Sequence, residues 1–308
     1  MLKHGLFIGL VLLLAACIHL HKPEPSGLTP WSLHKASHPT PLKMVSPFNR
    51  IKIKGHLNVH IHTGSLRPTL LVHGDPRDVS YLKWSVQNET LRVVLDNAYP
   101  KYAPVDIDIS TDKLFAIVYQ GKGSIEGRGL RSPQLDLMIT NKGTTILEGQ
   151  LNLHKVILAG CQTVYIKGGQ SQGMDVTVKK GARVQIIGGS GLNRVQVGGH
   201  SWLTVYWVSS SQLHVTLKGS ARVQIAGTTN QLDAALYGSS RFNGRYLRAK
   251  EAFVKTHDDA VADISVTRIQ HTLAVDNSNI YYHEFPLLRT DFMGSNGSVI
   301  DLKSWEQF

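Results

Sequence analysis

Lys180-Gly-Ala-Arg183-Val-Gln185-Ile186 returns as Lys218-Gly-Ser-Ala-Arg222-Val-Gln224-Ile225. The interval from Arg183 to Arg222 holds two units of about 19.5 residues, and self-similarity at such a period is the signature of a solenoid. Within each copy apolar residues alternate with polar ones, the period of a strand with one buried face. The alternation recurs at Ile51 and Ile53, Val59 and Ile61, Val105, Ile107 and Ile109, Val176 and Val178, Val195 and Val197, and Leu213, Val215 and Leu217. Turn positions follow at Gly121, Gly143, Gly160, Gly181, Gly199, Gly219, Gly238, His257, Asn277 and Gly294. Beyond Phe48 no helical period competes with this pattern.

A leucine-rich repeat needs a consistent leucine frame with an asparagine or cysteine ladder, which this chain lacks, and a propeller blade needs about twice the length. The pattern therefore predicts an all-β protein, a parallel β-helix with coils of about 19 residues. Each strand pairs with its equivalent one coil up, about 4.8 Å away. Val, Ile and Leu point inward; Thr, Gln, Arg and Lys point outward. The open ends of such a coil are unpaired edges and call for caps. Residues 48–103, with Trp84, are expected to supply N-terminal strands and a cap, 104–300 the repeats, and 301–308, with Trp305, the closing cap.

Upstream the sequence reads as an address. Met1-Leu-Lys3-His4 is a short basic start, and Leu6 to Leu14 is an apolar stretch too short to span a bilayer stably. Leu14-Ala15-Ala16-Cys17 resembles a lipobox, which implies a signal peptide over 1–16 and acylation of Cys17. Several acyl chains on one cysteine anchor firmly, since each buried methylene contributes about 0.8 kcal/mol. Ile18, rather than an aspartate, follows the cysteine, and by resemblance to lipoprotein sorting this favours the outer membrane of a Gram-negative cell. Residues 17–47 hold Pro23, Pro25, Pro30, Pro39, Pro41 and Pro47 with Glu24 as the one acid, a composition for an extended tether. With Cys17 acylated, Cys161 has no intramolecular partner, so no disulfide is expected.

Composition narrows the function classes. Hydrophobic residues make up 42% and charged residues 18% of the 308, which excludes a disordered chain. No apolar run after the leader approaches the roughly 20 residues a membrane-spanning helix needs. Lys+Arg 33 against Asp+Glu 22 gives +11, a balance suited to acidic partners.

Phe48-x-x-Ile51-x-Ile53-x-Gly55-x-x-x-Val59-x-Ile61-x-x-Gly64 resembles the opening of the head GIN domain, the auto-transporter adhesin family. So do Val72-x-Gly74-Asp75, Val86, Leu91-x-Val93 and Leu114-x-Ala116-Ile117-Val118-x-x-Gly121-x-Gly123-Ser124-Ile125-x-Gly127. The resemblance runs from about Phe48 to Phe308 and is strongest to Gly149. It implies a β-helical protein of the cell envelope with an adhesin-like role, and it brings no catalytic residues or cofactor. The basic balance and the proline tether are not part of its pattern.

Several residues have the chemistry for a site. His60 and His62, with His56, share a strand region and have ligand chemistry for zinc, but Val59 and Ile61 are the inward pair and a third ligand is missing. His257-Asp258-Asp259 is similar to the paired aspartates of β-helical polygalacturonases, yet the companion motifs are absent and the position is a turn, where Asp is common. Asp106 and Asp108 offer too few oxygens for calcium. Cys161 follows a turn glycine with no base near it, which reads as a small structural residue. No metal site and no catalytic residues are assigned.

One outward feature points to binding. Arg183, Arg222 and Arg241 fall at equivalent positions after the turn, with Lys180 and Lys218 at neighbouring corners and Ser201 interrupting the row. Such a column suits anionic polysaccharide or lipopolysaccharide; nucleic acid is not an expected partner of an envelope protein. The expectation is thus a lipid-anchored, non-enzymatic envelope protein for binding, adhesion or structure. The alternatives are a carbohydrate-active β-helix enzyme and a self-assembling scaffold.

Overall fold

Alternating apolar residues demand one buried face per strand, and the computed structural model of the protein meets that demand by winding the chain on itself. It describes residues 43–96, 100–160 and 163–302. Cys17 and its lipobox, the tether to residue 42, Cys161 and Trp305 lie outside the described residues. The short strands are β1 (Lys43–Met44), β2 (Arg50–Gly55), β3 (Asn58–Thr63), β4 (Thr69–His73), β5 (Leu82–Gln87), β6 (Thr90–Leu95), β7 (Asp106–Thr111) and β8 (Ala116–Gly121). The full coils are β9 (Ile125–Asn141), β10 (Thr144–Ala159), β11 (Thr163–Lys179), β12 (Arg183–Gly199), β13 (Trp202–Gly219), β14 (Arg222–Leu236), β15 (Arg241–Thr256) and β16 (Val261–Ala274). The strands β17 (Asn279–Tyr282), β18 (Leu288–Met293) and β19 (Ser298–Asp301) follow. A single turn of helix, α1 (Pro76–Val79), breaks the pattern.

The coils pair in parallel and in sequence order. One column runs Thr144, Thr163, Arg183, Trp202, Arg222, Arg241, Val261, Asn279, Ser298, each member one coil after the last. This is the parallel β-solenoid that the sequence predicts, with the predicted coil length. Each coil has two straight faces joined by a corner where the register slips, as between Ile187 and Ser190 or Val205 and Val208. Inward positions stack like with like: Val164, Val184, Leu203, Val223 and Phe242 form one buried column. Each such side chain removed from water contributes about 1.5–3 kcal/mol. Phe242 needs extra room, and Gly244 supplies it: a β-carbon there would lie 2.6 Å from the Phe242 ring.

The N-terminal region folds out of sequence order. β2 pairs in parallel with both β6 and β8, and β3 with both β7 and β9. The coil made by β6 and β7 therefore lies on the outer side of the earlier β2–β3 coil. Antiparallel strands finish it, with β5 on β6, β4 on β7 and β1 on β4. Asp106–Thr111, which its period alone groups with the repeats, belongs to this outer coil, and the sequential climb starts at β8. Half-buried Trp84 in β5 packs against the core, with the Lys43 ammonium 5.4 Å from its ring centre. Tyr119 of β8 is buried and its hydroxyl donates to the Leu57 carbonyl at 2.9 Å. Burial pushes that phenol up to about 12, so it stays neutral at physiological pH. Asp78 of α1 is buried as well. Desolvation pushes its carboxyl up, but the amides of Lys101, Tyr102 and Ala103, at 2.7 to 3.0 Å, outweigh it and hold the pKa below the ordinary value.

Candidate binding face

The residue before each first-face strand decides which side chains reach water. Ala182, Ser201, Ala221, Ser240, Ala260 and Ser278 are all fully buried small residues at the turn. The next residue must point outward, because the one after it, such as Val184 or Leu203, is in the core. That places Arg183, Arg222 and Arg241 on the surface in one column, with Arg222 directly beside Arg241. Strand spacing sets these two about 4.8 Å apart at the backbone, where like charges oppose each other. Among the described residues none of the three arginines forms an ion pair.

The member between Arg183 and Arg222 is Trp202, not Ser201. Ser201 is buried; its hydroxyl donates to the Gly198 carbonyl at 2.8 Å and accepts the Gly181 amide at 3.1 Å. The turns before Arg183, Trp202 and Arg222 are equally long, counted from the register partners Val178, Val197 and Leu217; the coils differ in length where the register slips at the corner. The column thus carries a half-exposed indole among its cations. Lys180 and Lys218 are likewise not equivalent. Lys218 pairs with Gly198, whereas Lys180 is one of two left-handed residues of its turn, at φ 58° beside Gly181 at 79°. The Lys218 ammonium lies 5.9 Å from the centre of the Tyr237 ring, which stacks on His257 at 5.1 Å.

The other chemically suggestive residues have structural partners. Asp258 takes the left-handed turn position, and so do Gly238, Asp276 and Ser295 in their coils. The sequence reading placed that position at His257, Asn277 and Gly294. The Asp258 carboxylate accepts the Gly238 amide at 2.7 Å, and Asp276 accepts the Asp258 amide at 3.1 Å. A column of carboxylates stitching turn to turn explains this motif without catalysis. Asp106 accepts from the Asn58 amide group at 2.8 Å, and Asp108 faces His73 at 3.4 Å and His62 at 3.9 Å. Among the described residues no group of three or more His, Cys, Asp or Glu side chains is placed to hold a metal. His56 lines a hollow of about 350 Å³ with Asn58 and residues 100–105. Burial, and then the charge of Lys122, lowers its pKa.

A family model described as "Putative auto-transporter adhesin, head GIN domain" matches residues 47–190 and again 190–286. The junction at 190 falls inside β12, and the sheet continues through it without a break. A crystal structure titled "Putative lipid binding protein", from Parabacteroides distasonis, is 17% identical over 86% of this chain and 97% of its own, with a TM-score of 0.49. A "putative adhesin" from the same organism is 15% identical over 86% and 97%, at 0.47. Another from Parabacteroides merdae is 15% identical over 86% and 96%, at 0.46. No curated protein matches the sequence.

Proposed function

Because the chain belongs to the head GIN domain family, we propose that it is a non-enzymatic, adhesin-like binding protein of the cell envelope whose arginine column engages anionic polysaccharide. The carrying observation is the exposed row Arg183, Trp202, Arg222, Arg241, presented by a continuous parallel sheet with no acid paired to its guanidinium groups among the described residues. Guanidinium forks engage carboxylate or phosphate in pairs of hydrogen bonds, and a rigid sheet spares the entropy of arranging them. Lipopolysaccharide phosphates and acidic glycans share that chemistry. The lipobox at Cys17 supports attachment to the outer membrane through acyl chains. An enzyme is the weaker reading, since Asp258 and Asp276 hold turn amides rather than converging on a cleft.

Two experiments test this reading. Binding of the full chain in detergent to lipopolysaccharide and to an acidic glycan is expected to fall steeply between low and physiological salt. Changing Arg183, Arg222 and Arg241 together to Ser is expected to remove most of the lipopolysaccharide binding, and the salt-sensitive part of the glycan binding, while leaving unfolding free energy within about 0.5 kcal/mol per site. Binding insensitive to both salt and the triple change would leave the arginines as solubilising surface. Loss with only one of the two ligands would identify the source of the anion. Separately, Cys17→Ala is expected to abolish incorporation of a fatty-acid analogue, and unchanged labelling would refute the lipid anchor.

A further inference from the structure

The corner that follows the first face carries an arrangement remote in the coil from the arginine column. Successive coils contribute Ser209 and Ser211, Thr228 and Asn230, then Arg248 and Lys250 to an open cleft of about 640 Å³. Ser209, Thr228 and Arg248 are register partners, so the groups form a grid rather than a scatter. The residue between each pair serves the fold: the Ser210 hydroxyl accepts the Leu192 amide at 2.8 Å, and the Thr229 hydroxyl donates to the Gln231 carbonyl at 2.9 Å. The outer hydroxyl and amide groups of Ser209, Ser211, Thr228 and Asn230 take no hydrogen-bond partner among the described residues. Arg248 has only a loose pairing, 3.9 Å from Glu284.

Two exposed aromatic residues, outside the residues that line the cleft, stand two positions before it along their strands. Trp207 is 72% exposed and Tyr246 is 63% exposed. They precede Val208 and Leu247, which share one column through Gly227. The rings therefore spring from positions two coils apart, about 10 Å by strand spacing, with small Ala226 at the rung between. Trp207 also holds φ at 66°, a backbone state that a bulky residue adopts rarely. A large indole kept in water on an unfavourable backbone contributes nothing to the core.

Flat apolar plates beside a field of hydroxyl, amide and cationic groups match the two surfaces of a sugar: a C–H face that stacks and a rim that hydrogen-bonds. Separation by two coils is close to the length of a disaccharide. We propose that this corner cleft binds an acidic oligosaccharide, with alternate rings on Trp207 and Tyr246, hydroxyls on the serine, threonine and asparagine grid, and carboxylates on Arg248 and Lys250. The inference extends the adhesin-like reading to a second, separate site and does not depend on the arginine column.

Calorimetric titration of the full chain in detergent with hexagalacturonate, at physiological salt, tests it. Binding is expected, and Trp207→Gly and Tyr246→Ala are each expected to weaken it about tenfold. Glycine suits the left-handed backbone at 207, so the first variant keeps its fold. The triple change of Arg183, Arg222 and Arg241 to Ser is expected to leave this affinity unchanged. Neutral chitohexaose is expected to bind more weakly than the acid. No heat with hexagalacturonate, or aromatic variants that bind like the parent, would overturn the proposal. Loss in the triple arginine variant alone would overturn it too, while supporting the arginine column as the glycan site.

Discussion

Val184→Asp is expected to destabilise the fold by about 4 kcal/mol or more, whereas Gln185→Glu should change it by no more than about 0.5 kcal/mol. Val184 is 4% exposed and stacks between Val164 and Leu203 in the inward column. A carboxylate there has aliphatic neighbours above and below and no donor to satisfy it, so it must be buried charged or take up a proton. Gln185, one residue on, points outward between Tyr165 and Thr204. The two substitutions are adjacent in sequence and opposite in consequence, which makes them a direct reading of the strand period. Urea denaturation followed by far-ultraviolet circular dichroism measures both. In a solenoid each coil is stabilised mainly by its neighbours, so the aspartate should also weaken the coupling of β12 to β11 and β13 and broaden the transition. Equal effects from the two changes would mean that the inward face at this coil is assigned wrongly.

The features legible in the sequence are those that repeat. Alternation at Val184 and Ile186, and again at Val223 and Ile225, sets the strand faces because a half-buried strand has no other way to hide its apolar residues. The family resemblance carried by residues 48–127 corresponds to the family model matched over the same stretch. Order was not legible at the N-terminus. Periodicity says that β2, β3, β6 and β7 are half-buried strands, and it is silent on the later pair lying outside the earlier one. Trp202 was missed because the coils differ in length at the corner, where the register slips, and a count of turn glycines cannot show where along the coil the extra residue lies. Asp258 looked chemical because a left-handed turn position, filled by glycine at residue 238, is filled there by aspartate, the residue that can also cap the neighbouring coil. Trp207 and Tyr246 did leave a signal. Their separation along the chain equals the two-coil interval from Arg183 to Arg222. Reading the aromatic residues modulo the coil would have found them.

Gly227→Ala is the second large effect, expected to destabilise by about 3 kcal/mol or more. Gly227 stands at the corner of β14, in register with Val208 below and Leu247 above. Its φ of 144° lies where side-chain-bearing residues are rarely found, and a β-carbon would fall 2.1 Å from the Val208 carbonyl oxygen and 2.6 Å from its nitrogen. Those are backbone atoms committed to the parallel ladder, so relief requires β13 and β14 to part at the corner. A glycine in β12 offers the control. Gly189, also at a corner, has no atom within 4 Å of where its β-carbon would be, and Gly189→Ala should stay within about 0.5 kcal/mol. Thermal or urea unfolding of the two variants distinguishes the cases, and a silent Gly227→Ala would mean that the coils are spaced more loosely at this corner than the register implies. The corner also lies between Trp207 and Tyr246, so a forced separation there would change the distance between the two rings. Hexagalacturonate binding should then fall in Gly227→Ala even at temperatures where the variant remains folded, and remain at the parent level in Gly189→Ala.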